Sequence, residues 1–127
     1  MPYEITYRRS DGGVITSYSG IVTDEDVIRS VEEKCSSEDK IRSYRYALTD
    51  CTRVNEFNVT TGAIIRNALI AKSAFSLNRE ILFVAAVPSD LVFGMGRLWQ
   101  AYADDTDEWT KLVRTRAEAD SWVAEHL

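Results

Sequence analysis

The strongest constraint on the fold is a nearly continuous apolar segment, residues 80–87, that is followed by Pro88. Parallel strands buried on both faces carry such runs, and proline interrupts them because it has no backbone N–H to donate. Helical patterns flank this segment, over residues 60–77 on one side and residues 89–103 on the other. A buried strand between two helices predicts a parallel sheet with right-handed crossover connections.

The remaining segments extend this alternation of strands and helices. Residues 3–8 and 14–22 alternate around an Asp-Gly-Gly turn, which predicts a β-hairpin. Capping patterns at Thr23 and Thr115 predict that helices begin there. The other predicted elements are a helix over residues 24–36, a polar break over 36–40, a short buried strand over 44–50, an irregular segment over 51–58, a solvated acidic turn over 104–108 and a strand over 111–114.

These elements predict an α/β fold in a single domain over residues 1–127, with a mixed, mainly parallel sheet, an N-terminal β-hairpin and about four flanking helices. The chain carries 15 Lys plus Arg and 20 Asp plus Glu, and the net charge of -5 disfavours binding to nucleic acid. The start lacks the basic end and apolar stretch of a leader, and no apolar run approaches the ~20 residues that span a bilayer. We therefore expect a cytoplasmic protein without membrane insertion.

The rare side chains exclude several reaction types. The single histidine, His126, lies beside the C-terminal end, where a base or a metal ligand is difficult to hold in place. Cys35 and Cys51 are too few and too far apart for a zinc site or a disulfide framework, so we interpret them as small buried residues. The sequence therefore predicts no metal site, no cofactor and no catalytic set built on histidine.

Two segments carry a family resemblance. Residues 48–63, LTDCTRVNEFNVTTGA, resemble the core motif of STAS domains, in which a strand ending in Asp-Leu-Ser leads through a loop to Asp-Ser-Ser-Gly at the start of a helix. The strand-end positions are occupied here by residues 50–52, and the Ser-Ser-Gly positions by residues 60–62. Residues 88–99, PSDLVFGMGRLW, are similar to a segment of bacterial proteins described as STAS/SEC14 or SpoIIAA-like.

The resemblance implies a SpoIIAA-like (STAS-type) fold and a non-enzymatic regulatory module of the anti-sigma-factor-antagonist type. Its partner would be a protein, either a kinase or another regulator. In the antagonists the Ser-Ser pair contains the serine that a partner kinase phosphorylates, and the matching residues here are Thr60 and Thr61. Together with Asn58, which stands at the family's Asp, they form the predicted switch or contact surface. These three residues are equally typical of an ordinary helix N-cap, so both interpretations stay open.

A second hypothesis is a domain that binds a small apolar or anionic ligand, which the kinship with lipid-binding SEC14 domains suggests. Gly94 and Gly96 lie inside a predicted helix, where each costs up to about 1 kcal/mol relative to alanine, so close packing or a nearby ligand is expected. Arg97 follows them and would bind an acidic ligand or pair with a carboxylate such as Asp50. An enzyme with Asp50, Glu56 and Arg97 in one cleft is a third hypothesis, but these residue types are too common to specify a reaction.

The helix predicted over residues 60–77 also bears on assembly. Its apolar residues cover more than one stripe, which predicts that it packs on the sheet and on a second surface. Because two-fold dimers are the commonest soluble assemblies, we expect that a second copy of the chain covers this surface in a homodimer.

Overall fold

A five-stranded sheet forms the centre of the protein in the computed structural model, which describes residues 2–104 and 109–127. Its strands lie side by side in chain order: β1 (Tyr3–Arg8), β2 (Gly13–Thr23), β3 (Tyr46–Asn58), β4 (Leu82–Ala86) and β5 (Thr110–Val113). The first two form an antiparallel hairpin, and each later pair of neighbours is parallel. The predicted mixed, mainly parallel sheet with an N-terminal hairpin is confirmed.

Helices cover both faces of this sheet. In the described ranges they are α1 (Asp24–Lys34), α2 (Glu38–Ser43), α3 (Thr61–Leu77), α4 (Asp90–Ala103) and α5 (Arg116–His126). About four helices were expected, and the additional one is α2, which begins within the segment predicted as a polar break. The only buried side chain of α2 is Ile41, so its six residues show no apolar periodicity in the sequence. Its N-cap is Ser37, whose hydroxyl accepts a hydrogen bond from the backbone N–H of Lys40.

The prediction of an irregular segment over residues 51–58 is wrong, because these residues continue β3. They pair with the second half of β2, whose backbone supplies the hydrogen bonds that stabilise the strand. Most of their side chains are exposed and polar, so this part of the sequence lacks the apolar alternation that identifies a half-buried strand. The pairing contains two register shifts, and Gly20 beside the second shift adopts a φ of 67°, a conformation that favours glycine.

The two faces of the sheet have separate coverings. Helix α5 alone packs against β3, β4 and β5 on one face, over a cluster that includes Ile15, Leu48 and Val84. Helices α1 to α4 cover the other face, where Val14 and Tyr18 of β2 are buried. Alternate residues of the central strands therefore enter two different cores.

The C-terminal part follows the predicted pattern. The hydroxyl of Thr115 accepts a hydrogen bond from the backbone N–H of Glu118 and donates one to its carboxylate, so α5 begins at the predicted cap. The acidic turn predicted over residues 104–108 lies outside the described residues, except for Asp104, which ends α4 as its C-cap.

Candidate functional site

The predicted switch surface lies where β3 leads into α3. Thr60 is the N-cap of this helix, and its hydroxyl accepts a hydrogen bond of 3.2 Å from the backbone N–H of Ala63. The Thr60 backbone N–H and hydroxyl also donate to the Asp24 carboxylate, at 2.7 and 2.8 Å. Asp24 is the first residue of α1, so Thr60 joins the starts of two helices. The N-cap interpretation therefore describes what Thr60 does within the fold.

Thr61 has a different environment from its neighbour. It is the first residue of α3, it is exposed, and its hydroxyl makes no hydrogen bond within the described part of the chain. Asn58, at the end of β3, is exposed as well. The three residues of the predicted surface are therefore adjacent and accessible, but only Thr61 presents a hydroxyl that no neighbour uses.

A surface groove of about 410 Å³ adjoins this region, between the end of β3 and the start of α4. It exists because β4 pairs with β3 only as far as Asp50, while β3 continues to Asn58 with β2 as its strand neighbour. Asn58 and Glu56 line the groove from the strand, and Leu91 lines it from the helix. Leu91 is 73% exposed, which is unusual for a large apolar side chain. The groove combines a strand edge with an exposed apolar residue.

The residues predicted to bind a ligand on α4 are not arranged around one site. Gly96 packs against β5, since a Cβ at this position would lie 3.1 Å from a Leu112 methyl group, and close packing accounts for this glycine. Gly94 is exposed with open space around it, so packing does not account for it. Arg97 is exposed, and its guanidinium lies 5.3 Å from the centre of the Phe93 ring.

The suggested pairing of Arg97 with Asp50 is wrong, because Asp50 pairs with Arg116 at 3.0 Å. Burial alone would raise the pKa of the Asp50 carboxyl, but hydrogen bonds from Thr52 and the pairing with Arg116 outweigh burial and hold this pKa below its ordinary value. No hydrogen bond or ion pair joins Asp50, Glu56 and Arg97 in residues 2–104. The contacts do not define the cleft that the enzyme hypothesis requires.

A second concavity lies between the sheet and the helices α1, α3 and α4, and it is partly open to solvent. This cavity has a volume of about 130 Å³ and a mainly apolar lining that includes Val31, Ala71 and Trp99. Asn67 of α3 holds the surrounding helices together. Its side chain accepts a hydrogen bond of 2.8 Å from the indole N–H of Trp99 on α4 and donates one of 2.9 Å to the backbone oxygen of Val27 on α1.

Lys34 also lines this cavity, although it is a charged residue. Burial lowers the pKa of its ammonium group, and the charge of either neighbouring thiol, Cys35 or Cys51, would raise it again. Sequence reasoning missed Lys34, yet a signal was present. Lys34 follows Val27 by seven positions and Val31 by three, so helical geometry places it on the buried face of α1.

The two cysteines are free and half-buried. Burial raises the pKa of the Cys51 thiol to about 12, with a smaller contribution from the charge of Asp50, and burial also raises the pKa of Cys35. Both thiols are therefore protonated at neutral pH and are poor nucleophiles. Their environment agrees with the prediction that they are small packing residues.

The described ranges contain neither a metal-binding cluster nor a membrane-spanning helix. No three His, Cys, Asp or Glu side chains there lie close enough together to hold a metal ion. None of the described helices combines the length and the apolar character that are needed to cross a bilayer.

The fold is that of a SpoIIAA-like, STAS-type domain, as comparison with solved structures shows. An anti-sigma factor antagonist SpoIIAA in its unphosphorylated form superposes with a TM-score of 0.65 at 9% sequence identity, covering 96% of this chain and 97% of that chain. The phosphorylated form of SpoIIAA, a Bacillus cell fate determinant, superposes with a TM-score of 0.56 at 10% identity, covering 95% and 98%. No family model matches the sequence, and no curated protein matches it either.

Proposed function

We propose that the protein is a non-enzymatic regulatory module that binds a partner protein, a kinase or another regulator, through the surface formed by Asn58, Thr60 and Thr61. The observation that carries this proposal is the agreement in fold with SpoIIAA along nearly the whole chain. SpoIIAA is an anti-sigma factor antagonist with phosphorylated and unphosphorylated forms. The start of α3 supports a similar use here, because it is exposed beside a groove that a partner can enter.

The contacts distinguish the two threonines as phosphorylation sites. A phosphate on Thr60 would replace a hydroxyl that donates to the Asp24 carboxylate, so it would bring two negative groups together. A phosphate on Thr61 meets no such neighbour and lies in the first turn of α3, where the helix dipole favours negative charge. Thr61 is therefore the residue at which we propose modification.

A charge substitution at Thr61 tests the proposed surface. We expect wild-type protein to enrich one or a few proteins reproducibly from extracts of its own organism, and Thr61→Glu to reduce this enrichment by at least about tenfold, since interface charges discriminate between partners. Ser121→Glu on α5 is the matched control, because it introduces the same charge at an exposed position of the opposite face. Quantitative mass spectrometry of the captured proteins gives the comparison. Equal enrichment by all three proteins would contradict the proposed surface.

Location and assembly belong to the same proposal. A regulatory module of this kind would work in the cytoplasm, and we propose that it does so as a homodimer. Neighbouring helices α1 and α4 cover much of the apolar surface of α3, but Leu69 and Leu77 remain exposed at 48% and 41%. Sedimentation equilibrium of wild type and Leu69→Glu tests this assembly, with a dimer expected for the first and a monomer for the second.

The alternative of a small-ligand domain is supported by a region that includes only one of the predicted ligand-binding residues. The cavity beside α4 is lined by Gly96, whereas Gly94 and Arg97 lie outside its lining. Its volume of about 130 Å³ is close to that of cavities that hold one benzene-sized molecule. This size does not suit the long lipid chain that a SEC14-like function would require.

A further inference from the structure

The cavity between the sheet and the helices α1, α3 and α4 has an unusual distribution of charge. Its described lining contains two lysines, Lys34 and Lys111, and no aspartate or glutamate. Apolar side chains from the sheet and from α1, α3 and α4 form most of the remaining wall. A neutral apolar molecule would contact the apolar wall but would not interact with the positive charge of the lysines. An amphipathic anion would contact the apolar wall and also pair with a lysine.

Lys34 is the part of this lining that packing does not explain. The residue as a whole is half-buried, but its ammonium group is sufficiently desolvated to lower its pKa. Within residues 2–104 and 109–127 this group has no hydrogen bond and no ion pair. Long lysine side chains on a helix normally extend to water, whereas the stem of Lys34 lies against the apolar lining and its ammonium keeps only part of its access to solvent, so an anion in the cavity can pair with it.

The groups nearest to this ammonium leave room for an added anion. The thiols of Cys35 and Cys51 are close enough for their charges to affect Lys34, but burial raises the pKa of both, so neither is the anion that pairs with it at neutral pH. The hydroxyl of Tyr44, which donates to the backbone oxygen of Lys34 at 2.8 Å, does not supply the anion either, because burial raises its pKa and it is neutral at neutral pH.

We propose that the cavity binds a small monocarboxylate whose carboxylate pairs with the Lys34 ammonium and whose apolar part fills the space between the sheet and α3. The volume of about 130 Å³ limits this apolar part to approximately the size of a benzene ring. A carboxylate beside Lys34 would receive charge-assisted hydrogen bonds from the ammonium, which are stronger than hydrogen bonds between neutral groups. This site is separate from the threonine surface, so the proposal does not depend on partner binding.

The test uses benzoate and hexanoate as probes, with benzamide as a neutral molecule of similar shape to benzoate. Heteronuclear NMR titration of the full chain measures the dissociation constants, and resonances of cavity residues identify the site. We expect at least one carboxylate to bind the wild type, and Lys34→Met to weaken that binding by at least about tenfold, the effect of losing one hydrogen bond to a charged group. Benzamide is expected to show no such difference between the two proteins.

Lys72→Met is the matched control, because Lys72 is an exposed lysine on α3 outside the cavity lining. It should bind the carboxylate as the wild type does. Absence of carboxylate binding to the folded wild type would overturn the proposal, as would equal binding to Lys34→Met. Capture of partner proteins by Lys34→Met should be unchanged, so failure of this site and failure of the threonine surface give different results.

Discussion

The two faces of the sheet use alternate residues of the same strands, yet they are packed in different ways. Beneath α5 the side chains form a continuous apolar core, in which Ala86 and Ala119 are completely inaccessible to solvent. Beneath α1, α3 and α4 the neighbouring residue Ala85 borders an open cavity. Adjacent positions of one five-residue strand thus meet a filled space and an empty one.

The pairing of polar groups also differs between the two faces of the sheet. The fully buried hydroxyl of Thr16 has no hydrogen-bond partner in the described structure, and strand alternation places it on the cavity face with Val14 and Tyr18. The Lys34 ammonium belongs to this face as well. On the α5 face, by contrast, the half-buried carboxylate of Asp50 is paired with Arg116. We infer that the α5 face chiefly stabilises the fold, whereas on the other face the Lys34 ammonium, which lines the cavity, is available for a ligand.

The largest expected effect comes from adding volume to each face. Ala86→Val should lower the free energy of unfolding by about 1–3 kcal/mol, because two methyl groups enter a core that is already filled. Ala85→Val adds the same groups toward the cavity and should be neutral or stabilising. Urea unfolding of both variants measures the contrast. Equal losses for the two substitutions would remove the distinction between the faces.

A smaller effect is expected where the helices of the cavity face are joined. Thr60→Ala removes the cap of α3 and the hydrogen bond from the Thr60 hydroxyl to Asp24, and it should cost about 1–2 kcal/mol. Thr61→Ala is the adjacent control and should change stability by less than about 0.5 kcal/mol, since its hydroxyl has no partner in the described part of the chain. Thermal and urea unfolding give both values. A loss at Thr61 equal to that at Thr60 would contradict these separate roles.

The smallest effect, and the most specific one, concerns Lys34. Lys34→Met should raise the free energy of unfolding at pH 7 by about 1 kcal/mol, because it removes a partly desolvated charge that has no hydrogen bond or ion pair within the described residues. The pKa of Lys34 is lower in the folded chain than in the unfolded chain, where it has its ordinary value of 10.5. Between these two pKa values the unfolded wild type binds more protons than the folded wild type. Wild-type stability therefore gains relative to the variant as pH rises through this window.

As pH rises, the free energies of unfolding of wild type and Lys34→Met should therefore become more similar, and urea unfolding at several pH values measures this change. The thiols of Cys35 and Cys51 face Lys34 and have raised pKa values, so their ionisation in the unfolded chain destabilises the fold at high pH. The charge of Lys34 lowers the pKa of both thiols, so the difference between wild type and variant reports Lys34 together with its coupling to Cys35 and Cys51. A difference that stays constant with pH would show that the ammonium is not desolvated.

Much of the fold could be predicted because local signals agreed with the tertiary structure. The apolar run over residues 80–87 contains β4, and the cap residue Thr115 begins α5 as expected. The extension of β3 beyond Asp50 could not be predicted from apolar alternation, because its pairing with β2 determines it and its side chains are mostly exposed. The threonine positions were accessible to sequence reasoning, but the contact with Asp24 that distinguishes them joins residues 36 positions apart.

Lys34 illustrates a different limit. Its position on the buried face of α1 could be obtained from helical spacing, but the space in front of it could not. That space depends on small side chains such as Ala71 and Ala85, which come from α3 and β4. The volume of a cavity is a property of several distant segments together, and no single segment of the sequence contains it.

The side chain of Asn67 has a kinetic consequence. Because it bonds to Trp99 on one side and to the backbone of Val27 on the other, neither α1 nor α4 can separate from α3 without losing a hydrogen bond. A change in the shape of the cavity, as distinct from ligand entry through its open side, therefore requires a collective movement of the helices, which in proteins takes microseconds to milliseconds. Ligands larger than the existing space should consequently associate more slowly than ligands that fit it.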